Sequence, residues 1–196
     1  MREAANDVAG PADDSASDEA LLAKVAAGDR RAFTMLMQRH GGRVRGLALA
    51  FSGRAADADD ITQDVFLLLW RRPDAWRPGP ASFTTWLYRV VVNRCLDLAR
   101  RQRLRRWLPF GAAVEPPDER PSALDALGGR EDLAATARLI RSLPQKQRLA
   151  LLLAIQGERS NAEIGGILGI SEGAAEQLLV RARRTLRSRM SRETAL

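Results

Sequence analysis

The sequence predicts an all-α fold: two small helical domains joined by a flexible linker, the second containing a helix-turn-helix. Three observations carry this expectation. Apolar residues recur at helical spacing through most of 18–106 and 131–192. Aromatic residues make up only 5% of the chain, and no alternating run marks a strand. Between the helical stretches, 107–130 gathers Pro109, Pro116, Pro117, Pro121, Gly111, Gly128 and Gly129 with four acids, which is the composition of a linker. At 196 residues and 45% hydrophobic composition, the chain can build real cores.

Residues 1–17, rich in Ala, Asp, Ser and Gly without periodicity, read as a disordered acidic tail. Asp18 is placed to cap a helix carrying Leu21, Leu22, Val25 and Ala26, and Gly28 to stop it. A second helix is expected from Arg30 to Gln38, with Phe33, Leu36 and Met37 apolar. His40 lies close to Gly41 and Gly42 and reads as an exposed or half-buried structural residue. Helix resumes over Arg43–Phe51. The clearest helix of this half is Asp57–Arg72, where Ile61, Val65, Leu68 and Leu69 form one core-facing stripe. Asp57, Asp60 and Asp64 share a neighbouring stripe, and Phe66 and Trp70 the other flank. Arg72–Pro80, with three prolines and a glycine, reads as a loop. A last helix is expected from Ser82 to Arg105.

The second domain opens near Arg130, where Leu133, Ala137 and Ile140 can share a face. Pro144 suits an early helical position. It starts a helix carrying Leu149, Leu152, Leu153 and Ile155 that ends near Gly157. Ser160 and Glu163 have capping-box spacing. Gly169 can close that short helix in a left-handed turn, and Ser171 can cap the next, which runs to about Met190. A short helix, a Gly-Ile-Ser turn and a longer helix make the helix-turn-helix plan. Gly165 and Gly166 each cost ~1 kcal/mol in a helix relative to Ala. Close approach of the second helix is the expected reason for them.

Composition excludes several functions. One Cys makes no internal disulfide, and one Cys and one His far apart build no closed zinc site, so no metal is expected. No GxxxxGK[ST] or GxGxxG string marks a nucleotide cradle, and no cofactor is expected. The longest apolar runs, Val65–Trp70 and Leu149–Ile155, fall well short of the ~20 residues that span a bilayer. The acidic first twenty residues lack a signal-peptide run, so a cytoplasmic location is the expectation. Cys95, mid-helix near an apolar stripe, reads as a buried structural residue rather than a redox switch.

The placement of charge says more than its total of +7. Residues 1–20 carry one Arg and six acids, 89–106 seven Arg and one Asp, and 179–192 six Arg and no acid. Two separate basic blocks suggest two contacts on a polyanion. The first block shares its helix with Phe83, Thr84, Thr85, Trp86 and Tyr88, just after a loop carrying Trp76. Rings beside guanidinium groups suit single-stranded nucleic acid; Phe83 and Trp86 as plain core is the other reading. Trp86, Val90, Asn93 and Asp97 form a stripe on which Asn93 could bond a base edge. In the last helix Ala174, Ala175, Leu178, Leu179, Ala182 and Leu186 face inward. Glu176, Gln177, Val180, Arg183, Arg184 and Arg187 face away, towards a DNA major groove or, on the plainer reading, towards solvent.

Three strings carry a family resemblance. Asp59-Asp60-Ile61-Thr62-Gln63-Asp64-Val65-Phe66-Leu67-Leu68-Leu69-Trp70 resembles the polymerase-docking helix of bacterial RNA polymerase sigma factors. Phe83-Thr84-Thr85-Trp86-Leu87-Tyr88-Arg89, Asn93-Arg94, Asp97 and the following Arg run resemble their promoter-melting segment. Leu143-Pro144, Ala162-Glu163-Ile164, Leu168-Gly169-Ile170-Ser171 and Arg181-Ala182-Arg183 resemble their C-terminal promoter-reading module. Order, spacing and the missing middle domain resemble the extracytoplasmic-function (ECF) subfamily, over about 18–190.

The resemblance implies a non-enzymatic initiation factor that brings core RNA polymerase (its β and β′ subunits) to promoter DNA. It implies region 2 at 18–106, a linker at 107–130 and region 4 at 131–192. Asp57, Asp60, Gln63, Asp64, Phe66 and Trp70 would lie at or under the polymerase-docking surface. Trp76 and the Arg77–Ser82 loop would hold a base flipped from the −10 element, with Thr85, Trp86 and Asn93 beside it. Arg89, Arg94, Arg100 and Arg101 would hold phosphates. Ser171, Glu176, Gln177, Val180, Arg181, Arg183, Arg184 and Arg187 would face the −35 element. The chain departs from the family in Ala174, Ala175, Glu176, Gln177 and Leu178, where small polar and basic residues are usual. Glu176 opposes phosphates but can accept from a cytosine amino group. An anti-sigma factor is an implied partner. Rival readings are a sigma-like decoy that sequesters an anti-sigma factor and a stand-alone helix-turn-helix regulator.

Overall fold

The computed structural model describes residues 16–107, 130–157 and 159–193, so the expected tail and linker lie largely outside the described residues. Ser17 starts the fold. Its hydroxyl accepts the Ala20 N–H at 3.2 Å and caps α1 (Asp18–Ala26). Asp18, expected as the cap, is the helix's first residue instead. Its carboxylate pairs with Arg39 at 2.7 Å and with His40 Nε2 at 2.8 Å.

Asp29 caps α2 (Arg30–Ser52) by accepting the Arg31 and Ala32 N–H groups. The break expected after Gln38 is absent, and the helix runs unbroken through Gly41 and Gly42. Leu36, His40, Val44, Leu47 and Phe51 make one continuous buried stripe across them. Two glycines cost ~2 kcal/mol in a helix; burying a single Leu or Val contributes ~1.5–3 kcal/mol. His40 belongs to that stripe at 5% exposure, so it is neither exposed nor half-buried. Its ring also meets Phe83 edge-on, 5.6 Å between centroids.

The helix α3 (Ala55–Arg71) packs along α2 and buries Ala58, Ile61, Val65, Phe66 and Leu69. Phe66 lies in the core rather than on a flank, and Phe33 packs edge-on to it at 6.3 Å. A 3-10 turn at Pro73–Ala75 and an open loop lead to α4 (Phe83–Trp107). Phe83, Leu87, Tyr88, Val91, Val92 and Cys95 of α4 complete this core.

The second domain holds α5 (Arg130–Arg141), α6 (Gln145–Gly157), α7 (Asn161–Leu168) and α8 (Glu172–Glu193). Leu133's side chain lies outside the described residues; among the described side chains of α5, Leu139 is the buried one. Pro144 sits just before α6, its carbonyl accepting the Arg148 N–H. Five successive residues of α6, Leu149–Leu153, are buried, whereas Ile155, expected in the core, is exposed. A helix apolar on every side needs cover on every side. Leu151 packs with Leu143 and Ala182 of its own domain. Leu149, Ala150, Leu152 and Leu153 join the same core as Leu47 and Val91. The two domains therefore touch, with α6 against α2 and α7 against α4.

Candidate nucleic-acid interface

Three surfaces follow from this packing. The first is the outer face of α3. With Ile61, Val65 and Leu69 committed to the core, Asp60, Gln63 and Asp64 are left exposed. Asp57 is half-buried, 3.9 Å from Arg54 and accepting from Gln102 at 3.3 Å. Phe66 does not reach this surface, and Trp70 is half-buried against Phe33. Leu67 does reach it, 36% exposed and one helical turn beyond Gln63 and Asp64. The sequence reading missed Leu67. The available signal was its i+4 spacing from Gln63, set against a core stripe that already lacked room for it.

The second surface joins the 76–82 loop to α4. Trp76 is buried, edge-on to Phe83 at 5.9 Å, with its indole N–H aimed at the Ala81 carbonyl at 3.4 Å. It forms the loop's floor, while Arg77, Pro78, Gly79 and Pro80 stand exposed above it. Ser82 caps α4, accepting the Thr85 N–H at 3.2 Å. Phe83 is core, as the plainer sequence reading had it. Trp86 is half-buried, stacked on Phe83 at 5.9 Å. Arg89, Asn93, Arg100 and Arg101 are exposed. Arg94 is half-buried and meets Asp64 at 3.8 Å; Arg100 meets Asp97 at 2.9 Å. One groove between α3 and α4 thus holds Asp57, Asp60, Asp64, Arg94, Asp97 and Arg101. Surface pairs of this kind contribute only ~0–1 kcal/mol, so a phosphate can displace either aspartate.

The third surface is α8. The capping box expected at Ser160 and Glu163 is present, and Gly169 ends α7 at φ +67°. The Glu163 carboxyl is held below the usual carboxylate range, chiefly by the Ser160 N–H and then by its hydroxyl. A Cβ on Gly165 would meet the Ile170 carbonyl oxygen at 2.9 Å, so the backbone of the turn, rather than the second helix, makes the close approach there, and Gly166 faces the Thr85 methyl of α4 instead. Ser171 caps α8 through the Ala174 N–H at 3.3 Å. Ala175, Leu179 and Ala182 are buried; Glu176, Gln177, Val180, Arg181, Arg183, Arg184 and Arg187 are exposed.

Two family descriptions match this chain: Sigma-70 region 2 over residues 36–105 and Sigma-70 region 4 over residues 133–186. The chain belongs to the ECF sigma factors. Similar relatives are the ECF RNA polymerase sigma factor SigM of Mycobacterium tuberculosis, 35% identical over 87% of this chain and 83% of that one, and the RNA polymerase sigma factor CnrH of Cupriavidus metallidurans, 32% identical over 87% and 92%. A solved structure of CnrH, in complex with the cytosolic domain of CnrY, is 29% identical over 89% of this chain and 97% of that chain, with a TM-score of 0.67.

As a sigma factor, the chain directs RNA polymerase to promoters, binding core enzyme and promoter DNA, and it is not an enzyme. Among its described residues, no helix is long and apolar enough to cross a membrane. Cys95 fits no redox role in this sigma factor. Burial pushes its thiol up to about 12, the nearby Arg148 only partly opposing the shift. A thiol so rarely ionised is a poor nucleophile.

Proposed function

We propose a division of labour among the three surfaces, with region 2 at 18–106, a connecting segment at 107–130 and region 4 at 131–192. The exposed face of α3 (Asp60, Gln63, Asp64, with Leu67) docks on core polymerase. Asp57, Phe66 and Trp70 support it from beneath. Arg77 and the loop to Ser82, together with Thr85, Trp86 and Asn93, receive the opened −10 strand above the Trp76 floor. Extruding a base costs a few kcal/mol, so this site acts once polymerase binding contributes to the opening. Arg89, Arg94, Arg100 and Arg101 hold the phosphates.

In region 4, Gln177, Val180, Arg181, Arg183, Arg184 and Arg187 of α8 meet the −35 duplex. Glu176 selects a base rather than adding affinity, since a carboxylate repels phosphate and accepts only from a cytosine or adenine amino group. Ser171 fixes the helix that carries them. Work in the cytoplasm follows from these partners. The CnrH complex with CnrY supports a dedicated protein inhibitor, an anti-sigma factor, for this chain as well.

The observation that supports the reading is the groove where the acidic face of α3 borders the arginines of α4, with Asp64 3.8 Å from Arg94; on this reading a polymerase contact and a phosphate contact are neighbours. A pull-down of core polymerase on the tagged chain tests it. Asp60→Ala is expected to weaken capture roughly tenfold, the worth of ~1.4 kcal/mol. Arg187→Ala should leave capture unchanged and weaken promoter binding only. Equal capture by the Asp60 variant and the parent chain overturns the assignment.

A further inference from the structure

Trp76 rests edge-on against Phe83, and Trp86 is stacked on the same ring, each 5.9 Å between centroids. Phe83 is therefore the common support of the two indoles that border the 76–82 loop. Phe83 in turn meets His40 of α2, edge-on at 5.6 Å and 75° between planes. The Nε2 of His40 lies 2.8 Å from the Asp18 carboxylate of α1. Arg39 takes the other carboxylate oxygen at 2.7 Å and also donates to the Ala16 carbonyl at 2.9 Å. α1 reaches the same loop by a second route, packing on the Pro73–Ala75 turn from which the chain enters Trp76.

A leucine or phenylalanine would fill the place of His40 without the cost of burying a polar ring. What the imidazole adds is an orientation that can be set from outside. The outer torsion of a histidine side chain is broad and roughly two-fold, so packing alone fixes the plane of the ring poorly. A carboxylate on one ring nitrogen fixes both tautomer and plane. Here that carboxylate comes from another helix, 22 positions away. Segments far apart in the chain, at 16–18, 39–40 and 76–86, thus converge on one phenylalanine. Such support matters because a binding constellation works only when its side chains are held within ~0.5 Å of the productive geometry.

We propose that Asp18 and His40 are positioning residues for promoter opening. The carboxylate aims the imidazole, the imidazole seats Phe83, and Phe83 holds Trp76 and Trp86 in the arrangement that receives a −10 base. Neither Asp18 nor His40 touches DNA. This role rests on the assignment of the loop to the −10 strand under Proposed function.

Holoenzyme assembled from purified core polymerase and the full chain tests it, on a promoter fragment whose start site has been mapped after overexpression. Permanganate reactivity of unpaired thymines reads strand opening, and a pull-down reads core capture. Asp18→Ala should lower opening about tenfold, the scale of one lost ring–ring contact, with core capture unchanged. Asp18→Asn, whose amide oxygen can still accept the Nε2–H, should restore most of it. His40→Gln keeps an N–H for Asp18 but has no ring, and should lose opening as Asp18→Ala does. Arg39→Ala is the contrast. It strips the ion pair and the Ala16 contact from α1 and leaves the imidazole bond, so opening should match that of the parent.

A mere staple between α1 and α2 gives a different pattern: opening falls in step with urea stability, and Arg39→Ala is as damaging as Asp18→Ala. That pattern overturns the positioning role, and so does parental opening by His40→Gln. Should circular dichroism show Asp18→Ala unfolded at the assay temperature, His40→Gln and Arg39→Ala decide between the two. If holoenzyme with the parent chain opens no promoter, the −10 assignment fails and the positioning role with it. Parental opening that ignores every change at Asp18 and His40 leaves the −10 assignment standing and overturns the positioning role alone.

Discussion

Adjacent glycines in α7 should respond in opposite directions to the same added methyl group. At Gly165 a Cβ would lie 2.9 Å from the Ile170 carbonyl oxygen and 3.2 Å from the Ser171 carbonyl carbon and oxygen. All three atoms are backbone of the helix-turn-helix turn, so none can rotate away. Alanine gains ~1 kcal/mol of helix propensity there and meets an overpacking cost of ~1–3 kcal/mol. The net expectation for Gly165→Ala is a loss of ~1 kcal/mol. At Gly166 the nearest atom is the Thr85 methyl at 3.7 Å, ordinary contact distance. Gly166→Ala should therefore keep the propensity gain of ~1 kcal/mol. Urea unfolding followed by circular dichroism should separate the two variants by ~2 kcal/mol, with the parent between them. Equal stabilities, or a more stable Gly165 variant, would refute the claim that the turn's close approach selects glycine at that position.

Three other outcomes follow from particular groups. Asp18→Ala removes the carboxylate that partners both Arg39 and His40; with His40 buried, urea unfolding should show a loss of ~1–3 kcal/mol, and no loss would mean that the pair is idle. Glu163→Gln should cost ~0.5–1 kcal/mol at neutral pH as half of the capping box goes. Because the carboxyl is held below its ordinary range, its contribution is fully present above that range and fades as pH falls through it, so the two proteins should converge in stability in acid. A gap independent of pH would contradict this. Cys95, buried and with its thiol pushed up to about 12, should react with a disulfide reagent only as fast as the chain unfolds; prompt labelling of native protein would contradict the burial.

The sequence reading did best where a signal was local. The capping box at Ser160, the left-handed Gly169 and the inward face of α8 each rest on residues of a single helix and its cap, and each is present. It failed at Gly41-Gly42 because it weighed propensity alone. The stripe from Leu36 to Phe51 crosses those glycines only if His40 counts as a core residue, and what allows that is Asp18, 22 positions away. Ile155 failed for a related reason. An isolated α6 has one face to bury, but a helix held between two domains buries another, and the choice of faces is made by α2.

In the site, chemistry was legible and access was not. Aspartates on α3 and arginines on α4 were readable from spacing. Burial of Trp76 and Phe66 beneath the loop and the docking face was not, because an aromatic at a helix edge reads alike as floor or as contact. Arg148 and Arg159 carried no pattern at all. Their partners, Phe51 and Tyr88, lie in the other domain.

Run-off transcription with purified core RNA polymerase, on a fragment whose start site has been mapped after overexpression of the chain, tests the central claim most directly. The account predicts a discrete transcript that requires both proteins and disappears when Asp60 and Arg89 are replaced together by alanine. Transcripts indistinguishable from those of core enzyme alone, with the chain present in excess, would contradict it.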